Sequence, residues 1–536
     1  MKHKRICLIM SPSPFLLDER VYMSLGVLTV AAVLEEKGYV VDMLDLSGIK
    51  NYLDAIQNYI ELNPDVSTYG ITSTTPQIPL VVKINDVIKK AGKRVIAGGP
   101  HFTLMNSAHK KEKKNDIVGR ATFAMEKLKE IFDTIVCGDG EYAIFEALEG
   151  GSKFVDADDL KSSLFLSNAD FTNMPFPARH LIDIDSYNFK IEGRKALTLI
   201  GQLGCPFLCT FCSGRNSPTF RKIRTRTVEN IVQEIEYMHK TWGIEAFTFY
   251  DDELNVTKTF PFLLKALIDY QKKHNVQFGL RGSLKAELFN EEQAELMKAA
   301  GFTKLVVGFE SGSPRMLDNI QKKATREDNS RCIELGRKHG LQSKALMSIG
   351  HAGESWESIQ ETKDWLKEIK PDEFDVTIIT VIPGSPYYDD ARLIENTGNV
   401  GADKIESDRN VYMFEARNTK DKLYSIEVDN LVEFEYYKGI PGEYNAFVFT
   451  DYLSRKDLVT CRDEIDEEVT KFLGHTRDMS VEAQLYEHSM GMLPNFILRS
   501  SPNPDGGDED YYVKTGIYRQ DENEDTKSLP IFGQTR

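Results

Sequence analysis

Short, nearly continuous apolar runs alternate along this chain with stretches whose apolar residues recur every three or four positions. The first pattern suits strands buried on both faces, and the second suits amphipathic helices. Within the first 150 residues the pattern predicts strands over 5–10, 40–44, 66–72, 94–97 and 134–137. Helices are predicted over 25–37, with Gly38 as the C-terminal stop, and over 53–62, 80–90 and 142–148. Strands spaced by helices of this length pair in parallel through right-handed crossovers. A five-stranded, doubly wound (Rossmann-like) α/β domain is therefore expected over 1–150.

Residues 151–195 read as a connector, with Pro175, Pro177 and an acidic stretch at 156–159. The alternation resumes with strands predicted over 196–200, 246–250, 277–280, 304–307, 343–349 and 373–380. Helical patterns such as 228–240 and 356–369 lie between them. Six such units predict a partial (β/α)6 barrel over 196–395, with its chemistry at the C-terminal ends of the strands. From 396 to 536 the alternation is lost. That region is acidic and aromatic-rich, with helical stretches at 462–473 and 481–490, and is expected to be small and mainly helical. Its end, from Ser501, is polar with several Gly and Pro, and is expected to be partly mobile.

Composition narrows the function. A hydrophobic share of 41% and a charged share of 28% fit an ordinary globular protein. No apolar run is long enough to span a membrane. The net charge of −16 argues against general binding to nucleic acid. Pro12 and Pro14 interrupt the short apolar stretch behind the basic start, which argues against a secretory signal. Of seven cysteines, three lie within eight residues, while Cys7, Cys137, Cys332 and Cys461 are scattered. Such a set is not a disulfide framework, and a reducing, cytoplasmic setting is expected.

The three clustered cysteines follow the first barrel strand as Gly201-Gln202-Leu203-Gly204-Cys205-Pro206-Phe207-Leu208-Cys209-Thr210-Phe211-Cys212. Three thiolates spaced CxxxCxxC on one loop can bind three irons of a cubane and leave the fourth without a protein ligand. Structural zinc wants four closed ligands, usually in two close pairs, and no fourth Cys or His is near in sequence.

This segment resembles the radical S-adenosylmethionine (SAM) superfamily, over about 196–386. The resemblance implies a [4Fe–4S] cluster on Cys205, Cys209 and Cys212, with SAM on the open iron. It also implies that the Phe211 ring packs near the adenine. Asp251, Asp252 and Glu253 end the second strand, where the family holds the SAM amine. Arg281 ends the third and would pair with the SAM carboxylate. Glu310 and Ser311 end the fourth and would contact the nucleoside. The turns Gly350-His351-Ala352-Gly353-Glu354 and Ile382-Pro383-Gly384-Ser385-Pro386 match the family at strands five and six. Gln202-Leu203-Gly204 departs from the commoner Ser-Arg-Gly before the first cysteine.

The first domain lacks a GxGxxG turn, which makes it a poor dinucleotide site. Its small residues fall elsewhere, at Gly26, Thr72-Ser73-Thr74, Gly98-Gly99-Pro100-His101 and Gly138-Asp139-Gly140-Glu141. Glycines and hydroxyls at successive strand ends let a large flat ligand approach the backbone. These pieces resemble the cobalamin-binding domain that precedes many radical SAM barrels. On that likeness Gly26, Thr72, Ser73, Thr74, Gly98, Gly99, Pro100, His101, Gly138, Gly140 and Glu141 would line cobalamin. The Asp-x-His-x-x-Gly signature is absent, so His101 is read as a polar loop residue near the corrin. Together the two resemblances imply methylation of an unactivated carbon of a small molecule, with flavodoxin or ferredoxin as electron donor. A non-methylating cyclase, ring-contraction or rearrangement enzyme stays open. So does a zinc-stabilised binding protein without catalysis.

Overall fold

A computed structural model describes residues 4–474 except 14–15, 17–18, 50, 150, 188, 395–408, 435 and 437–444. The helical pattern expected at 481–490 and the polar stretch from Ser501 lie outside the described residues.

The first domain is a parallel sheet of β1 (Arg5–Met10), β2 (Val40–Asp45), β3 (Thr68–Thr72), β4 (Arg94–Gly98), β5 (Thr134–Cys137) and β6 (Phe154–Asp156). The strand order is β2-β1-β3-β4-β5-β6. The order reverses between β1 and β3, and the crevice beyond that point is where such sheets bind ligands. Six strands replace the expected five. The sixth is three residues long, too short to show a period, and is fixed by pairing Cys137 with Asp156.

Helices α1 (Leu25–Glu36), α2 (Tyr52–Leu62), α3 (Ile78–Lys90), α4 (Pro100–Lys114), α5 (Arg120–Ile131) and α6 (Gly140–Glu149) cover the sheet. The sequence pattern did not mark α4 and α5. The first starts with Pro100 at its first turn, directly after two glycines, and its second half is Lys-rich.

In the connector, β7 (Lys190–Ile191) forms an antiparallel hairpin with β8 (Arg194–Leu199). A short ribbon, β9 (Gln202–Leu203) with β10 (Arg224–Thr225), frames the cysteine loop. The barrel continues through β11 (Ala246–Phe249), β12 (Gly279–Arg281), β13 (Ser283–Leu284), β14 (Lys304–Glu310), β15 (Gln342–Ile349) and β16 (Glu373–Ile378). It divides into the sheets β12-β11-β8-β7 and β13-β14-β15-β16. The break falls at Gly282, where a Cβ would strike the Leu254 side chain. Six strand positions remain, so the open six-unit barrel stands. Several of the intervening helices carry side-chain N-caps, as Thr227 does for Val228–Trp242 and Ser355 for Trp356–Ile369.

The expectation of a mainly helical C-terminal region is corrected. The described residues form an antiparallel sheet of β17 (Arg392–Leu393), β18 (Val411–Glu415), β19 (Lys422–Ile426) and β20 (Val448–Thr450), followed by the helix Arg455–Leu473. Phe414, Leu423 and Val448 join the barrel core, while Val411, Met413, Tyr424, Ile426 and Phe449 form a separate cluster. Apolar side chains on both faces hid the alternation of a half-exposed strand. No helix among the described residues is long and apolar enough to cross a membrane.

Candidate active site at the cysteine loop

The cysteine loop is held from three sides. Gly204, at φ +86°, passes so close to the Lys222 carbonyl that a side chain would collide with it. The Cys205 N–H donates to Phe220 O at 2.9 Å. Arg221 donates to the carbonyls of Phe207 (2.7 Å) and Pro206 (2.8 Å), and Arg215 donates to that of Leu208. On the barrel side, Thr210 N–H donates to Ile320 O at 2.9 Å.

Cys209 is buried, whereas Cys212 is exposed. Burial pushes the Cys205 thiol up to about 11 and Cys212 up to about 12, the latter aided by the other two cysteines. Burial also raises Cys209, against the opposing charges of Lys322 and Lys285. Among the described residues no three His, Cys, Asp or Glu side chains converge on one ion-sized position. A cubane asks one thiolate of each iron, so separated thiols suit it better than they suit a closed zinc centre.

Beside the cysteines lies a ring of charge. Lys322 is 6% exposed, with Nζ 3.1 Å from Glu310 Oε1. Burial raises the Glu310 carboxyl, but Lys322 and the Ser348 hydroxyl (2.7 Å) outweigh it, so the group is held below its ordinary value. Glu253 is pushed up to about 7 by burial, against Lys322 and Lys285. Its Oε2 is buried with no hydrogen-bond partner among the described residues. A buried carboxylate oxygen left unpaired is costly, and a cationic ligand group there would satisfy it. That orphaned atom, on a carboxyl whose charge acts on Cys205 and Cys209, fits a SAM ammonium.

Other predicted residues sit differently. Asp251 is buried and accepts from the Gly201 N–H at 2.8 Å, so it braces the cysteine loop. Asp252 is exposed beside the Gly204 backbone. Arg281 ends β12, as expected, and the chain passes through Gly282 into β13 of the other sheet. Its guanidinium lies 5.4 Å from the Phe189 ring and near Lys344 and Glu373. Lys285, just after β13, places its Nζ 4.2 Å from the Phe207 ring. Ser311 turns away from the cysteines. Glu310 adopts a left-handed φ of +67°, and the Ser311 hydroxyl bonds Thr362 Oγ1 at 3.1 Å. Phe211 packs on His351, ring centroids 5.3 Å apart. Sequence reasoning missed Lys285 and Lys322, because isolated polar residues in loops look like surface, and Ser348, one hydroxyl within the apolar strand β15.

In the first domain, Gly99 has φ +99°, and a Cβ there would sit 2.5 Å from Thr72 Oγ1 and 2.8 Å from Ser73 N. Gly140 would meet Val30 Cγ2 at 3.0 Å, and Gly138 would strike the 157–158 backbone. These glycines are therefore demanded by the chain's own packing. Gly26 has open space, with nothing within 4 Å of a Cβ. Gly98 is half-buried at the end of β4, and Pro100 opens α4. Ser73 is buried, and its N–H donates to Gly98 O at 3.1 Å. Thr74 bonds Gln77 through its own N–H at 2.8 Å. His101 is 1% exposed, bonded through Nδ1 to Thr75 Oγ1 at 3.2 Å, and burial pushes it down to about 3, so it is neutral. Glu141 is pushed up to about 7 by burial and by Asp139.

The two domains meet at the segment that flanks the cysteines. Asp139 pairs with Arg224 of β10, and Asp158 accepts from Ser217 Oγ (2.6 Å) and Thr219 N–H (2.9 Å). The strand ends of the first sheet and the cysteine loop thus share one scaffold, residues 217–224. A separate cavity of about 970 Å³ lies between α4–α5 and the C-terminal sheet, lined by His101, Met105, Arg120, Tyr388, Tyr412 and Glu427 among others. It contains none of the cysteines.

A radical SAM superfamily model matches residues 199–366, enclosing the cysteine loop, and a B12 binding domain model matches residues 19–129. The chain is a radical SAM enzyme with a B12-binding domain. An uncharacterised methyltransferase of Pyrococcus horikoshii is 25% identical over 410 residues, covering 73% of this chain and 83% of that protein. The anaerobic magnesium-protoporphyrin IX monomethyl ester cyclase of Cereibacter sphaeroides is 23% identical over 386 residues, covering 66% of this chain and 59% of its own length. In fold, the chain is similar to the radical SAM methyltransferase TsrM from Kitasatospora setae, solved with cobalamin and a [4Fe–4S] cluster bound. The TM-score is 0.57 at 16% identity, covering 92% and 93% of the two chains.

Proposed function

We propose that this radical SAM enzyme is a cobalamin-dependent methyltransferase acting on a carbon of a small molecule. The observation that carries the reading is the shared scaffold at 217–224. It joins the strand ends of the B12-binding domain to the cysteine loop, so two cofactors held there would face one space. When bound, the cluster with SAM supplies one-electron carbon-radical chemistry, and cobalamin supplies methyl transfer.

The chain's own part is binding, orientation and charge. Cys205, Cys209 and Cys212 would hold the cluster, with Asp251 bracing their loop through Gly201. The unpaired Glu253 Oε2 would accept from the SAM ammonium. Glu310, kept ionised by Lys322 and Ser348, would accept from the ribose hydroxyls, with Phe211 as the wall beside the adenine and the buried His351 behind it. Thr72 to Thr74, Gly98 to His101 and Gly138 to Glu141 would line cobalamin. The C-terminal sheet supplies one wall of the cavity beside His101, which supports its role in selecting the substrate. The donor of the single electron would be a small carrier such as flavodoxin or ferredoxin.

Anaerobic incubation with SAM, cobalamin and reductant tests the reading, with 5′-deoxyadenosine and S-adenosylhomocysteine quantified separately. Cobalamin-dependent S-adenosylhomocysteine supports methyl transfer. Deoxyadenosine alone favours cyclisation or rearrangement, the alternative that the cyclase likeness supports. Neither product overturns the radical reading.

A further inference from the structure

The hydrogen bonds behind Glu310 run in one direction. Its Oε1 is occupied by Lys322 and its Oε2 accepts from the Ser348 hydroxyl at 2.7 Å. A serine hydroxyl has one hydrogen, and here the carboxylate takes it. The Ser348 oxygen also lies 2.8 Å from His351 Nε2, so it must accept there, and Nε2 must carry the proton. With Nε2 protonated in a neutral ring, Nδ1 is a lone pair, and it lies 3.2 Å from the Tyr387 hydroxyl. Tyr387 therefore donates to it. Burial pushes the imidazole down to about 4, which keeps it neutral near pH 7.

Every member of the chain is buried: Ser348 at 7%, His351 at 0% and Tyr387 at 1% exposed. At one end Tyr387 packs edge-on against Phe414 of β18, centroids 4.9 Å apart. At the other end Lys322 acts on Cys209. Phe211, the residue before Cys212, leans on the same imidazole.

We propose that His351 is a positioning residue for SAM binding, acting as the Nε2–H tautomer to fix Ser348 and, through it, the orientation of Glu310. Tyr387 fixes the ring in turn, so the C-terminal sheet reaches the Glu310 carboxylate through one aromatic contact and three hydrogen bonds. The Nδ1–H tautomer would instead present a lone pair at Nε2 to Ser348. The hydroxyl would then have two acceptors for one hydrogen, and Glu310 would lose its second support. The proposal rests on Glu310 contacting SAM, as read above.

The test uses the full-length protein reconstituted with iron and sulfide. His351→Leu removes the donor, whereas His351→Gln can place an amide N–H near the Nε2 position. SAM affinity is measured by equilibrium dialysis, alongside iron content and melting temperature. The Leu variant is expected to bind SAM about tenfold more weakly, and the Gln variant within about threefold of the parent, with iron content unchanged in both. Parent-like affinity in the Leu variant overturns the proposal. So does equal loss in both variants accompanied by loss of iron and of melting temperature, which marks a purely structural role. ¹⁵N-histidine NMR of the unsubstituted protein gives a second readout. The signal absent from the Gln variant should show a protonated Nε2 and a bare Nδ1 from pH 6 to 8. An Nδ1–H or doubly protonated ring overturns the proposal whatever the affinities of the two variants. A parent that binds no SAM at all sinks the functional reading instead, whatever tautomer is seen.

Discussion

Replacing Lys322 with Met isolates the central charge of the site. The side chain is 6% exposed, its Nζ is 3.1 Å from Glu310 Oε1, and it also acts on Cys209 and Glu253. At that separation, with an effective dielectric of about 20, the attraction is about 5 kcal/mol. Desolvating both ions offsets much of it, but removing one partner leaves the other buried and uncompensated, which costs about 3–5 kcal/mol. Methionine fills the volume, so the loss reports on charge rather than on a cavity. Urea unfolding followed by tryptophan fluorescence is a suitable assay, because Trp242, Trp356 and Trp365 all lie on barrel helices.

The pH dependence has a definite sign. In the parent, Glu310 is depressed, so its contribution is present above the unfolded value of about 4.3 and is lost as pH falls through the folded one. Lys322 is raised, so its contribution holds up to about pH 10.4 and is lost above its folded value. Between pH 5 and 9 the pair is therefore constant. In the variant Glu310 loses its counter-charge and rises, so stability should fall as pH climbs from 5 to 8. Adding Glu310→Gln to Lys322→Met should recover about 2 kcal/mol, because the unpaired charge is gone. A Lys322→Met protein within about 1 kcal/mol of the parent and flat in pH would refute this reasoning.

Alanine at Cys205, Cys209 or Cys212 should abolish iron binding, measured by metal analysis after anaerobic reconstitution. Alanine at Cys332, fully buried in the helix Arg326–Lys338, should leave iron content intact. Gly99→Ala should destabilise the ends of β3 and β4 by about 1–3 kcal/mol even without cobalamin, because φ is +99° there and the added carbon meets Thr72 and Ser73. Hydrogen exchange at 70–75 should rise; unchanged exchange would contradict the packing argument. Burial pushes Asp251 up to about 7, so the parent loses stability as pH rises from about 4 to 7. Asp251→Asn should flatten that slope in a melting series, while Asn Oδ1 still accepts from Gly201.

The cysteine loop was legible because its spacing is itself the chemistry. The parallel strands were legible because apolar runs between helical repeats leave few other solutions. What escaped the sequence was tertiary. The end of the third strand at Arg281 was legible, but nothing local to Gly282 shows that a short β13 follows at once in a second sheet. Glu310 was placed correctly at a strand end, but its left-handed backbone, which turns Ser311 toward Thr362, is set by packing. Lys322 lies in a polar stretch that reads as surface until the fold closes over it. Gly99 and Gly140 were noticed for a ligand's sake, whereas Thr72, Ser73 and Val30 already require them. The antiparallel C-terminal sheet was hidden by apolar residues on both of its faces.

The most direct test of the account is the cofactor content of the protein after anaerobic reconstitution with iron, sulfide and cobalamin. The account predicts about four irons and four sulfides per chain, lost when the three loop cysteines are replaced together, and about one cobalamin that survives that replacement. A protein that takes up zinc in place of iron, or that holds no cobalamin, would contradict it.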